Sequence, residues 1–254
     1  MFKIFAIGRN TFREAIRDKI LYAILFFATL MMFAALALGE MSLGHPVKVT
    51  IDMGLTAISL FGVLIAIFTG VSLVHKEIDK RTIYTIISKP INRYQFILGK
   101  YLGMTLTALV QIVTLTAVFT LLILFQQQFI DFNVYVAVFL YWLEIMLVLS
   151  VALFCSSFTT PFFSGLFTFF IFLFGRLMPD IYLVLNKTEN PVVWFFLKLT
   201  TILPNLSLLN IGGRVVHGEL ISTYDLFINT AYAVGYISAF LFLAMVLFSR
   251  RDFI

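Results

Sequence analysis

Charge is scarce in this sequence. Only 12% of its 254 residues are Asp, Glu, Lys or Arg, about half the share carried by soluble domains. Too few polar groups are available to clothe a water-soluble surface of that size, which excludes an ordinary globular fold. Cysteine is nearly absent: Cys155 stands alone inside an apolar run, so no intramolecular disulfide can form, and the thiol is expected to pack in a core. Enzyme signatures are missing as well. The chain contains no GxxxxGK[ST] loop for nucleotide phosphates, no HExxH pair for zinc and no GxSxG turn for a serine nucleophile. Its three histidines, His45, His75 and His217, all fall between apolar runs, which argues against a haem anchored by histidines within a bilayer. Internal repeats and low-complexity tails are absent too, and nothing points to a second soluble domain. The chain is therefore expected to be one domain over 1–254, with no catalytic motif, no metal site and no cofactor of its own.

What is present is hydrocarbon. The sequence is 61% hydrophobic with a mean hydropathy of +1.02. Apolar runs long enough to cross a bilayer lie near 20–39, 54–74, 100–124, 134–156, 162–184 and 226–248. Alternating patterning of the barrel type is missing, so these runs read as six transmembrane helices of an all-α integral membrane protein.

The basic residues orient them. Lys3, Arg9, Arg13, Arg17 and Lys19 precede the first run; Lys76, Lys80, Arg81, Lys89, Arg93 and Lys100 lie between the second and third; Arg250 and Arg251 follow the last. Those thirteen belong on the cytoplasmic side with both termini, leaving only Lys48, Arg176, Lys187, Lys198 and Arg214 elsewhere. The same rule accounts for the net charge of +5 without a nucleic-acid partner. A run at 192–203 is too short for a crossing, and counting it would put Arg250 and Arg251 outside. Residues 186–225 therefore read as an external segment with one or two short re-entrant or interfacial helices, interrupted by Pro204 and Gly212-Gly213.

Residues 1–18 are too long and too amphipathic for a cleaved leader and are expected to be retained. Phe2, Ile4, Phe5, Phe12, Ala15 and Ile16 share one helical face, opposite Lys3, Asn10, Arg13, Glu14 and Arg17, while Ile7 breaks the pattern. Such a helix lies at the inner interface, against either lipid or its own protein.

The connection at 75–99 is the most informative. It starts with charge (Lys76, Glu77, Asp79, Lys80, Arg81), carries an apolar side (Ile78, Ile83, Ile86, Ile87), breaks at Pro90 and runs into the third span. An ordinary topogenic loop explains the charges but not the ordered apolar side. The series Glu77, Asp79, Thr82, Ser88-Lys89-Pro90, Arg93, Phe96 and Leu98-Gly99-Lys100 resembles the cytoplasmic loop of ABC type-2 permeases, with Arg81 where many members have glycine. The amphipathic N-terminal helix, the six spans, Leu203-Pro204-Asn205-Leu206 with Asn210, and the end Arg250-Arg251-Asp252-Phe253 are similar to that family too. The nearest likeness is to permeases associated with nitrous-oxide-reductase maturation, which fixes no substrate.

That resemblance implies a type V exporter-like fold in a bacterial inner membrane. Residues 76–93 would form a coupling helix that docks on a cytosolic ATPase through Glu77, Asp79, Arg81, Thr82, Ile83, Ile86, Lys89, Pro90 and Arg93. It also implies a second permease copy, identical or related, and two ATPase subunits that carry the ATP and Mg. The function expected is the membrane-spanning subunit of an ATP-driven exporter. Two other classes stay open: a self-sufficient channel or secondary transporter, and a non-transporting subunit that passes ATPase motion to a periplasmic partner.

Four polar residues stand out within the spans. Glu144 and Arg176 lie about 20 Å and 22 Å from the inner ends of straight helices at 1.5 Å per residue, with Asp180 one turn beyond Arg176. They can form a structural ion pair or belong to a transport pathway. Gln111, near the middle of the third span, reads as an interhelical hydrogen-bonding group. Gly99 and Gly103 form a GxxxG that permits close helix approach.

Overall fold

A computed structural model describes residues 2–41, 46–79, 92–126, 131–185 and 203–250. Every element in them is helical: α1 (Phe2–Ile16), α2 (Lys19–Met41), α3 (Pro46–Asp79), α4 (Arg93–Phe125), α5 (Phe132–Ser156), α6 (Pro161–Leu185), a single 3-10 turn (Leu206–Leu208), α7 (Gly212–Val216) and α8 (Thr223–Arg250). Six of these, α2 to α6 and α8, are long and apolar enough to cross a membrane, and they coincide with the six apolar runs.

α3 and α4 run beyond their apolar runs. α3 starts at Pro46 and continues to Asp79, and α4 starts at Arg93, so both ends of the 75–99 connection are helical. Hydropathy marks where a chain leaves the hydrocarbon; it does not mark where the helix stops. At 34 and 33 residues these helices are roughly 50 Å long at 1.5 Å per residue, well beyond the about 30 Å of a bilayer core. Pro46 suits a first helical turn, where its missing N–H costs nothing, and the Gln95 side chain accepts from Asn92 N–H at 3.4 Å to start α4.

α3 and α5 form the centre of the bundle, and α2, α6 and α8 are largely peripheral. α5 is largely apolar, with Leu140, Leu143, Leu147, Val148, Leu149 and Val151 buried, as expected for a helix enclosed over most of its length. α3 approaches its neighbours through glycines spaced eight apart. A Cβ on Gly54 would collide with the Phe119 ring of α4, one on Gly62 would lie 2.5 Å from Ile145 Cδ1 of α5, and one on Gly70 would lie 2.6 Å from Ala152 Cβ. Water cannot drive helices together inside lipid, so such small-residue contacts hold them by close packing.

The N-terminal helix packs on its own protein, along α4. Gly8, Thr11 and Ala15 are buried, while Phe5 points outward. Ile7, which breaks the amphipathic pattern, covers Gly99: a Cβ there would meet Ile7 Cβ at 2.7 Å. A Cβ on Gly103 would lie 2.5 Å from Gly8 O and 2.6 Å from Thr11 Cβ. The GxxxG of α4 is thus the seat of α1. Asp18 Oδ1 accepts from Ile20 N–H at 3.2 Å and separates α1 from α2.

Candidate functional site

Ionisable groups in the interior of a span need partners, and here they converge. Glu144, near the middle of α5, is fully buried. Its Oε2 accepts from Ser59 Oγ of α3 at 3.2 Å, and Arg176 of α6 donates from Nη1 to the same Ser59 Oγ at 3.0 Å. Arg176 Nη1 also lies 3.9 Å from Glu144 Oε1. Ser59 therefore bridges the pair, using its one proton toward the carboxylate and a lone pair toward the guanidinium. Phe172, one turn before Arg176, places its ring 5.7 Å from the guanidinium carbon.

The fourth partner comes from the segment between α6 and α8. With the Asn210 amide oriented so that both its atoms find complementary partners, its Oδ1 accepts from Arg176 Nη2 at 2.7 Å and from Nε at 3.2 Å, and its Nδ2 donates to the Tyr141 hydroxyl at 3.1 Å. A Cβ on Gly212 would collide with that hydroxyl, so only glycine lets the backbone pass here. Tyr141 lies about 13 Å along α5 from its start at 1.5 Å per residue, which puts the tip of the segment inside the bundle. Leu206, Leu209 and Ile211 are buried around it.

Further contacts seat the segment on two spans. A Cβ on Gly175 of α6 would lie 2.5 Å from Pro204 O. From α8, the Tyr232 hydroxyl accepts from Asn205 N–H at 2.7 Å and Asn229 Nδ2 donates to Leu208 O at 3.0 Å. Asn205 Oδ1 accepts from Ser207 N–H and Oγ, which starts the 3-10 turn. Beyond α7, Gly218 takes a left-handed φ of 75°, allowing Glu219 to fold back on Arg214 at 2.9 Å, and Arg214 also lies 3.7 Å from Asp225 at the start of α8.

The other residues singled out from sequence are distributed differently. Asp180 is exposed, and among the described residues no hydrogen bond or ion pair ties it to this cluster. Gln111 is buried on α4, and its Nε2 has no hydrogen-bond partner among the described residues. Glu77 and Asp79 fall in the last turns of α3. Arg81, Thr82, Ile83, Ile86, Lys89 and Pro90 lie outside the described residues, as does 192–202. Arg93 opens α4 and donates from Nη1 to Ser249 O at 2.6 Å and to Phe248 O at 3.3 Å.

Ser59, Tyr141 and Gly212 were not singled out as site residues. A serine or tyrosine within a span looks like any small polar or aromatic packing residue, and only the fold shows which ones face an ion pair. Asn210 carried more signal, as a lone amide between Leu209 and Ile211.

The arrangement brings together α3, α5, α6 and the segment that follows α6. Its elements are an ion pair, a bridging hydroxyl and an amide that together join three spans to one inserted segment. The family described as ABC-2 family transporter protein matches residues 5–253, nearly the whole chain. This chain belongs to that family. It is thus a multi-pass membrane protein of the ABC-2 transporters, a family in which an ATPase partner is the general rule. No curated protein matches the chain significantly.

Proposed function

We propose that this ABC-2 protein is the permease subunit of an ATP-driven exporter, driven by a separate cytosolic ATPase that docks on 80–92 and the helix ends flanking it. The observation that carries the reading is the family match over residues 5–253. The long α3 and α4 support it, since their ends at Asp79 and Arg93 extend past a bilayer's thickness on the side where basic residues concentrate. With six spans, both termini share that cytoplasmic side and the 203–222 segment faces outward. A dimer of identical or related permeases would form the path, with two ATPase copies holding ATP and Mg. Likeness to the nitrous-oxide-reductase maturation subgroup remains part of this reading and names no cargo.

The polar cluster favours transport by rearrangement over a self-sufficient channel. Glu144 and Arg176 form an ion pair bridged by Ser59, and Arg176 also binds Asn210, so the cluster ties the outer segment to the spans, while Glu144 Oε1 has no hydrogen-bond partner among the described residues.

In the docking element, charges such as Glu77 and Asp79 would mainly set encounter rate, and apolar anchors such as Ile83 and Ile86 the lasting affinity. Purification in mild detergent should recover a cytosolic ATPase at equal stoichiometry. Ile83→Asp and Ile86→Asp should insert normally but lose coupled ATP turnover. A lone permease oligomer conducting ions, or full ATPase binding and turnover by both variants, would refute the reading.

A further inference from the structure

α8 is held at both ends by side chains that have no part in its own hydrogen bonding. The last described turn of α8 presents backbone carbonyls toward its C-terminal end, the negative end of the helix dipole. The Arg93 guanidinium donates to two of those carbonyls, Phe248 O and Ser249 O. One turn on, Phe96 stacks on Phe248, with ring centroids 5.5 Å apart and planes 15° from parallel, and both rings are buried. A further turn on, buried Lys100 lies 5.9 Å above the Phe96 ring and 4.0 Å from Glu14 of α1. Arg93, Phe96 and Lys100 thus bind the first turns of α4 to α8 on one side and to α1 on the other. At its opposite end, α8 holds the inserted segment through Asn229 and Tyr232, which grip Leu208 O and Asn205 N–H.

We infer that Arg93 is a positioning residue that locks α4 to the end of α8, so that α8 acts as a rod carrying displacement of the inner end of α4 to the segment holding Asn210. This rests on the ATPase-coupled reading above. It assigns Arg93 a role distinct from ATPase contact: its bonds run to the permease's own last helix. A push on α4 moves α8 with it, the Asn229 and Tyr232 contacts pull on residues 205–208, and the Asn210–Arg176 bonds are the polar contacts that must then break or reform.

The test uses the assembled complex in lipid, with Cys155→Ala and Leu208→Cys to report on the segment. Leu208 is partly exposed, so its labelling rate by a membrane-impermeant maleimide follows movement there. In the parent protein the rate should change on adding ATP with vanadate. Arg93→Gln should lose that change, Arg93→Lys, which still supplies a cation to the carbonyls, should restore part of it, and Phe96→Leu should lose it while ATPase binding and hydrolysis are kept. If Arg93→Gln fails to insert, Phe96→Leu, which removes the stacked ring, takes its place under the same criteria. A nucleotide-dependent change retained in full overturns the linkage. Loss of ATPase binding in Arg93→Gln also overturns it, in favour of direct docking. A parent complex with no change at all overturns the transport reading, and the linkage with it.

Discussion

The two ends of this bundle are fastened by different physics. Toward the start of α5, the inserted segment is held by directional polar contacts: Asn210 to Arg176 and Tyr141, Tyr232 to Asn205, Asn229 to Leu208. At the opposite end, α1, α4 and α8 are held mainly by shape, with Gly8, Gly99 and Gly103 in backbone contact and Phe96 stacked on Phe248, reinforced by Lys100 and Arg93. Hydrogen bonds can be exchanged for other partners, including water, without repacking a core. Glycine-mediated contact has no comparable alternative, because separating the helices removes dispersion contacts that lipid does not replace in kind. One end is suited to switching and the other to transmitting.

The largest effect should come from the ion pair on which the polar end is built. Removing one partner of a buried pair strands the other, at a cost of about 3–5 kcal/mol. Arg176→Gln should accordingly be severely destabilising, as read by thermal unfolding in detergent. The double variant with Glu144→Gln should fall short of the sum of the singles by about 0.5–3 kcal/mol. Additive effects would show that the two charges do not depend on each other.

At the packed end, Gly103→Leu should cost about 1–3 kcal/mol through overpacking, because backbone Gly8 O cannot yield as a flexible side chain would. α1 should then be cleaved by protease faster while the spans stay intact. Unchanged protection would mean that α1 is held by lipid and not by α4.

Asn210→Ala sharpens the contrast. It removes a neutral partner of a charged group, costing about 1.5–3 kcal/mol if nothing replaces it, and less where water reaches the partly exposed Arg176. Labelling of Leu208→Cys should rise while α1 protection is unaffected. A coordinated loss at both ends would contradict the division. The smallest effect belongs to Arg214→Gln: its partners Glu219 and Asp225 are exposed, and such pairs contribute under about 1 kcal/mol.

The six spans were legible in the sequence because each is a long apolar run, and solvent preference alone decides that signal. Their ends were not. The charges at Lys76 to Asp79 marked departure from the membrane while α3 stayed helical, and Arg93 to Gly99 likewise belonged to α4 before its apolar run began. For α1, the aromatic stripe drew attention away from the working face. Ala15 belongs to both, but Gly8 and Thr11, which with Ile7 complete the face on α4, have almost no hydrophobicity to advertise it. Glu144 and Arg176 could be noticed because charge within a span is costly, whereas Ser59, Tyr141 and Gly212 became meaningful only when four separate parts of the chain met.

The most direct test of that division measures two distances in the same assembled complex. Spin labels at Phe5 and Leu243 report on the α1–α8 relation, and labels at Leu208 and Tyr182 report on the segment against α6; all four side chains are at least partly exposed. Trapping the ATPase with ATP and vanadate should leave the first distance distribution unchanged and shift the second. A shift in the first pair, or no shift in the second, would contradict the account.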